Sequence, residues 1–260
     1  MKILLTNDDG IDAPGFDVLR KIAAELTDSE NIWEVAPLTN QSGVGRCVSY
    51  MHPMTMMKRG ERSFALQGFP ADCVLAALGE AMPERPDLIL SGVNNGNNSG
   101  QNAVYSGTVG AAMEGALQGV KSIALSQYFG PGLWGLDDKF DATLKFAAPL
   151  IQQLLEFDVW GDDDYMTFYN INFPPVAPAE VKGTQVVGQG FRNTPFFAKS
   201  AEAPNKRTYL YVSSGSQHEK TAPDTDVAAN LEGYISITPM TADLTDRSTF
   251  DALAARFGND

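Results

Sequence analysis

Apolar and polar positions along the first half of the chain switch repeatedly between a strand pattern and a helix pattern. Residues 3–6 (Ile3-Leu4-Leu5-Thr6) are a short apolar run ending in Asn7-Asp8-Asp9-Gly10, as a strand buried on both faces and broken by a turn would read. Pro14 then stands where a first helical turn tolerates it, and Phe16, Leu19, Ile22, Ala23 and Leu26 fall on one helical face. Residues 32–36 predict a second strand, stopped by Pro37. After an irregular stretch, Pro70 opens a predicted helix through Met82, with Val74, Ala77 and Leu78 inward. Residues 88–91 predict a third core strand, 108–117 a helix capped by Gly119, and 122–126 a further strand.

Such alternation predicts an α/β fold, a doubly wound sheet with right-handed crossovers. Ligands of these sheets bind beyond the carboxyl ends of the strands. The polar clusters of this chain fall there, after Thr6, after Ala36 and after Leu90. The second half reads differently. Phe140, Leu144, Ala147, Ile151, Leu154 and Leu155 mark one more amphipathic helix, and residues 166–173, 184–187, 207–212 and 234–237 are strand candidates. Gly188, Gly190, Pro195 and Pro204 between them predict hairpins or arms projecting from the core, and 248–257 a closing helix. No linker divides the chain, so residues 1–260 are expected to form one domain, with a core over about 1–175 and an arm and tail over about 176–260.

Composition narrows the function. The formal net charge of −13 argues against stable nucleic-acid binding, so a phosphorylated substrate must be drawn by something local. The amino-terminal run meets acidic residues too early for a signal peptide, and no run approaches a membrane span, so a soluble cytoplasmic protein with no membrane partner is expected. Cys47 and Cys73 have no metal-binding spacing and sit among apolar neighbours, which predicts two buried core thiols.

Four clusters carry candidate chemistry. Adjacent carboxylates at Asp8 and Asp9 repel unless a cation lies between them, and a hard divalent ion with oxygen ligands would compensate them; a turn that caps the next helix is the alternative. Residues 40–46 (Asn-Gln-Ser-Gly-Val-Gly-Arg) expose backbone N–H groups that can wrap an anion, without P-loop spacing, or form a flexible loop in which Arg46 is solvated. Residues 94–98 hold four asparagines in five positions, which offer neutral oxygens to a metal and N–H donors to phosphate, or simply a run of turns. Tyr105-Ser106-Gly107-Thr108 opens a helix, where hydroxyls cap and free N–H groups attract anions. His52 and His218 lie in no motif and read as surface or packing residues.

In order along the chain, Leu4-Leu5-Thr6-Asn7-Asp8-Asp9-Gly10-Ile11 with Ala13-Pro14-Gly15, then Val35-Ala36-Pro37 with Gln41-Ser42-Gly43, resemble the SurE survival-protein nucleotidases. So do Ser91-Gly92-Val93-Asn94, Tyr105-Ser106-Gly107-Thr108-Val109 and Ala112-Met113-Glu114-Gly115. Asn170-Ile171-Asn172-Phe173-Pro174, Thr225-Asp226 and the run from Glu232 to Pro239 extend the resemblance over nearly the whole chain. It implies a Rossmann-like core, a C-terminal arm exchanged between subunits, and a homodimer or homotetramer. It also implies hydrolysis of nucleoside 5′- and 3′-monophosphates with one Mg²⁺ or Mn²⁺. Matched residue by residue, the metal ligands would be Asp8, Asp9, Ser42 and Asn94, and phosphate would lie near Gly43, Asn98, Ser106, Gly107 and Thr108. The chain departs from the family pattern at Asp12, where histidine is frequent, at Gly45-Arg46, and over residues 129–136, which bears on substrate preference more than on the reaction.

The mechanism implied is a divalent ion that polarises a phosphoryl oxygen and acidifies a bound water, with N–H groups at Gly43 and residues 106–108 taking up equatorial charge. Direct attack by Asp8 or Asp9 is the alternative. A haloacid-dehalogenase-type phosphatase would have alternating rather than adjacent carboxylates. A non-catalytic phospho-receiver or nucleotide-sensing module would need an aspartate at the end of the third strand, where Leu90-Ser91-Gly92 stands.

Overall fold

The computed structural model describes residues 1–134, 138–161, 164–193 and 196–258. Gly135 and Leu136, within the family-atypical stretch 129–136, and Pro195, one of the expected breakers, lie outside the described residues.

The elements run β1 (Ile3–Thr6), α1 (Pro14–Leu26), β2 (Ile32–Pro37), β3 (Met56–Lys58), β4 (Ser63–Leu66), α2 (Pro70–Ala76), β5 (Leu88–Asn95), α3 (Asn102–Tyr105) and α4 (Gly107–Leu117). They continue with β6 (Lys121–Gln127), α5 (Asp141–Phe157), β7 (Phe168–Phe173), β8 (Thr184–Val186), β9 (Phe197–Glu202), β10 (Thr208–Ser213), α6 (Asp226–Leu231), β11 (Ile235–Met240) and α7 (Arg247–Phe257). Nine strands form one sheet in the order β3-β4-β2-β1-β5-β6-β7-β11-β8. The six from β4 to β7 in that order are parallel, whereas β11 runs antiparallel to β7. The chain winds outward from β1 through β2 to β4, returns past β1 to β5, and winds outward again through β6 and β7. The sheet therefore reverses its winding between β1 and β5, and the ligand crevice of a doubly wound sheet lies at such a reversal.

Alternation of side chains across the pleat builds the two core layers. Ile3, Leu5, Leu88, Leu90, Ile123 and Leu125 pack on one face with Phe16 and Leu19 of α1 and Ile151 of α5. Leu4 and Ile89 face the other way, against Cys73 and Val74 of α2 and Ala111 of α4. Each fully buried Leu or Ile contributes about 1.5–3 kcal/mol, so this alternation fixes the register.

Several elements differ from the sequence expectation for identifiable reasons. The stretch before Pro70 holds β3, at the sheet edge, and β4 beside it, short strands whose periodicity is too brief to register. The helix from Pro70 ends in a π-helical turn (Ala77–Ala81), and Met82 turns extended because Pro83 disfavours helical backbone before it. The strand at Leu88 runs on to Asn95, and α6 is an additional helix capped by the Thr225 side chain. Of the strand candidates in the second half, β7, β8 and β11 join the main sheet, while β10 pairs only with β9, a strand the sequence reading did not name, as an exposed hairpin. Cys47 corrects an expectation: Cys73 is buried as read, but Cys47 is exposed, because the segment around it lies over the surface rather than in a core strand. Among the described residues, no helix is long and apolar enough to cross a membrane.

Candidate active site

At the end of β1 the chain turns sharply. The Asn7 side chain donates to the Gly10 carbonyl (2.8 Å) and accepts from the Gly10 amide (3.2 Å), and Gly10 takes φ +107°, a backbone conformation natural only to glycine. This turn presents Asp8 and Asp9 in different surroundings. Asp8 is 3% exposed, and its Oδ1 accepts a 2.6 Å hydrogen bond from the Thr108 hydroxyl. Burial lifts its pKa to about 6, reinforced by the charge of Asp9 and opposed by the hydrogen bonds of Thr108. Asp9 is more accessible: Oδ1 accepts from Asn40 Nδ2 and Oδ2 from the Asn95 amide, both at 3.1 Å.

The loop after β2 comes to the same place. The Gln41 amide donates to the Asp8 carbonyl (2.7 Å), and the Ser42 amide to Asn40 Oδ1 (2.8 Å). Ser42 and Gly43 are exposed, and Gly43 at φ +82° has open space where a Cβ would stand. The loop closes onto the next cluster through the Gly45 amide, which donates to the Tyr105 carbonyl (2.9 Å).

The first turn of α4 points at Asp8. Ser106 caps it by accepting from the Val109 amide (3.1 Å), and Ser106, Gly107 and Thr108 are all buried. A Cβ at Gly107 would lie 2.7 Å from Asp8 Cβ and 3.0 Å from Pro70 Cγ, so only glycine lets the helix start approach the carboxylate this closely. The positive end of the helix thus faces the acidic turn.

The asparagine loop completes the edge. Asn94 Nδ2 donates to the Gly96 carbonyl (2.9 Å), so the side-chain oxygen is the end of the amide not used in this bond. Asn98 is buried deeper: its amide donates to Asn172 Oδ1 (2.7 Å), its carbonyl accepts from Asn170 (2.8 Å), and its Nδ2 donates to Ser126 Oγ (2.8 Å). The Asn98 side-chain amide has a second hydrogen beyond the one given to Ser126.

Three sequence-distant loops and a helix start thereby meet at the β1–β5 reversal. The matching family model is that of the survival protein SurE, over residues 3–195. The chain belongs to the SurE family. A 5′-nucleotidase SurE of Ruegeria pomeroyi is 52% identical, over 98% of this chain and 99% of its own. One of Cereibacter sphaeroides is 51% identical over 99% and 100%. A crystal structure of a SurE protein from Aquifex aeolicus superposes with a TM-score of 0.80 at 31% identity, covering 99% of this chain and 100% of that one.

Asp8, Asp9, Ser42 and Asn94, the ligands that the resemblance implies, would offer two carboxylates and two neutral oxygens, a set whose chemistry fits a hard divalent cation. Among the described residues no cluster of three or more His, Cys, Asp or Glu that could hold a metal ion exists. Arg46 stays exposed, as a residue of a surface loop would, but its Nη1 pairs with the buried Glu114 at 2.8 Å, which neutralises it. His218 packs on Tyr128, with Nδ1 3.1 Å from the hydroxyl. Sequence reasoning gave no site role to Asn170 and Asn172 or to the buried Arg192. The Asn-x-Asn spacing was a legible signal, since period two puts both residues on one face of β7. An arginine between glycines and a proline carries no such signal.

Proposed function

We propose that the chain is a phosphomonoesterase that releases phosphate from nucleoside 5′- and 3′-monophosphates at this sheet edge. The observation that carries the reading is the approach of α4's first turn to Asp8, which sets an anion-binding helix start against an acidic pair. Asp8, Asp9, Ser42 and Asn94 would hold one Mg²⁺ or Mn²⁺, which supplies Lewis-acid stabilisation of the phosphoryl group. The chain's own groups do the rest. The Gly43 amide, the helix start at Ser106–Thr108 and the second amide hydrogen of Asn98 receive the phosphoryl oxygens, in a site rigid enough that little reorganisation is needed as charge develops. Asn40 and the Asn95 amide orient the Asp9 carboxylate, and Thr108 orients that of Asp8. Beside Asp9, a cavity of about 490 Å³ lined by Asp12, Thr39, Asn40, Asn95 and Phe140 has room for a nucleoside.

The non-catalytic receiver reading finds no support, because β5 offers Ser91 and Gly92 in place of an acceptor carboxylate. We infer also a single domain, a cytoplasmic setting and a homodimer or homotetramer that covers the exposed hairpin and α7. The deciding experiment is inorganic phosphate release from a panel of nucleoside monophosphates, with EDTA and then with Mg²⁺ or Mn²⁺ restored. Catalytic release that returns with metal is expected. No turnover under any metal would overturn the enzyme reading.

A further inference from the structure

Arg192 is among the largest fully buried side chains of the molecule, at 2% exposure, and it comes from the second half of the chain. Its guanidinium lies against the asparagine loop: Nη1 donates to the Ser99 carbonyl (3.0 Å), and Nη2 to Asn97 Oδ1 (2.8 Å) and Ser99 Oγ (2.9 Å). These partners flank Asn98 on both sides. Its backbone is tied to the same loop, since Gln101 accepts from the Arg192 amide (2.9 Å) and donates to its carbonyl (2.7 Å).

The neighbours reinforce this clamp. Buried Asp226 accepts from the Gly100 amide (2.9 Å) and the Gly190 amide (2.8 Å), and Gln189 donates to the Gly100 carbonyl (2.9 Å). Gly100, at φ +62°, has no room for a side chain without pressing on Val227 and the Gly190 carbonyl. Loop and clamp are thus fitted backbone to backbone.

The chemistry of the clamp is unusual. Arg192 gives its guanidinium hydrogen bonds to neutral oxygens of the loop, its Nε is buried without a partner, and the buried Asp226 carboxylate acts on it through charge rather than through a hydrogen-bonded ion pair. Burying a cation in this way is costly, and neutral donors would hold a loop more cheaply. The other arginines beside the site are neutralised, Arg46 by Glu114 and Arg59 by Asp12. Arg192 thus places its charge behind the loop that carries Asn98, offset in part by the buried Asp226 carboxylate.

We propose that Arg192 is a positioning residue for the phosphate site, acting through the asparagine loop that its guanidinium clamps and adding positive potential from beneath it. The inference rests on the phosphatase reading given above. It makes the second half of the chain part of the site's construction.

The test uses the metal-loaded full-length protein and compares Arg192→Gln and Arg192→Lys with the parent. The readouts are kcat, KM for a nucleoside monophosphate, and binding of inorganic phosphate measured by competition and by calorimetry. Arg192→Gln is expected to raise KM and to weaken phosphate binding tenfold or more, with the metal activation constant unchanged. Arg192→Lys, which keeps the charge but not the fork, should recover part of that loss. If Arg192→Gln does not fold, Ser99→Ala removes one acceptor from the clamp and should raise KM in the same direction by a smaller factor. A folded Arg192→Gln protein with parental KM and phosphate affinity overturns the proposal, as does a loss confined to kcat or to thermal stability. Absence of turnover in the parent would instead strike the phosphatase reading, and the calorimetric comparison with inorganic phosphate would still decide the role of Arg192.

Discussion

Asp8 sits beneath the first turn of α4, and burial with the nearby charge of Asp9 lifts its pKa from 3.8 to about 6. The folded protein therefore binds this proton more tightly than the unfolded chain does. The linkage sign follows: stability present below about pH 3.8 is lost as pH rises through about 6, by about 3 kcal/mol at ~1.4 kcal/mol per pKa unit. A divalent cation reverses the preference, so the penalty belongs to the metal-free protein. Asp8→Asn should abolish turnover yet stabilise the metal-free fold at pH 7, and should leave a shallower decline between pH 4 and 6. Urea titrations of both proteins in EDTA at the two ends of that window measure it. Equal pH slopes would mean that Asp8 is not the strained carboxylate. The neighbouring residue offers a steric counterpart. In Gly107→Ala the new Cβ meets Asp8 Cβ at 2.7 Å and Pro70 Cγ at 3.0 Å, so the helix start must retreat. The expected cost is about 1–3 kcal/mol together with a loss of turnover well beyond tenfold, read by denaturation and phosphate release.

At the scale of elements, α4 separates two roles that one serine combines. Ser106 caps the helix through the Val109 amide and also borders the proposed phosphate site. Replacing a serine cap by alanine costs roughly 1 kcal/mol, whereas glycine costs only a few tenths. Ser106→Ala and Ser106→Gly should thus differ in stability but lose turnover alike, because neither supplies the hydroxyl. Recovery of turnover in Ser106→Gly would reduce the residue to a cap. Much of this was legible in the sequence, because β1, α1, β5 and α4 combine strong periodicity with turn chemistry at their ends. β3 and β4 were not legible, being only three and four residues long, too short for an alternating pattern to stand out. The acidic turn and helix start could be read because their residue types have few structural uses in that order. The clamp of Arg192 and Asp226 could not, since it joins residues about 90 and 126 positions from the loop they hold, and only the folded register brings them together.

The whole molecule leaves one part of its surface unexplained by the single chain. β9 and β10 pair with each other, every residue in both is exposed, and Leu210 and Val212 are 70% and 76% accessible. A lone two-stranded hairpin is at best marginally stable in water. α7 buries none of its residues either, although Phe250, Leu253 and Phe257 recur on it at helical spacing. Apolar surface on two separate projections is what a symmetric assembly would cover, whereas a net charge of −13 opposes association over longer range. Contact burial should win at physiological salt, where exposed charges are screened beyond about 8 Å. Light scattering behind size exclusion should therefore give the full chain the mass of a dimer or tetramer. Leu210→Asp in the hairpin should lower that mass. Because Asp8, Asp9, Ser42, Asn94 and the α4 start come from one chain, the smaller species should keep turnover within a few-fold when its fold is intact. A full-length chain that runs as a monomer at micromolar concentration would overturn the assembly, and a mass change that abolishes turnover would show that the arm completes the site.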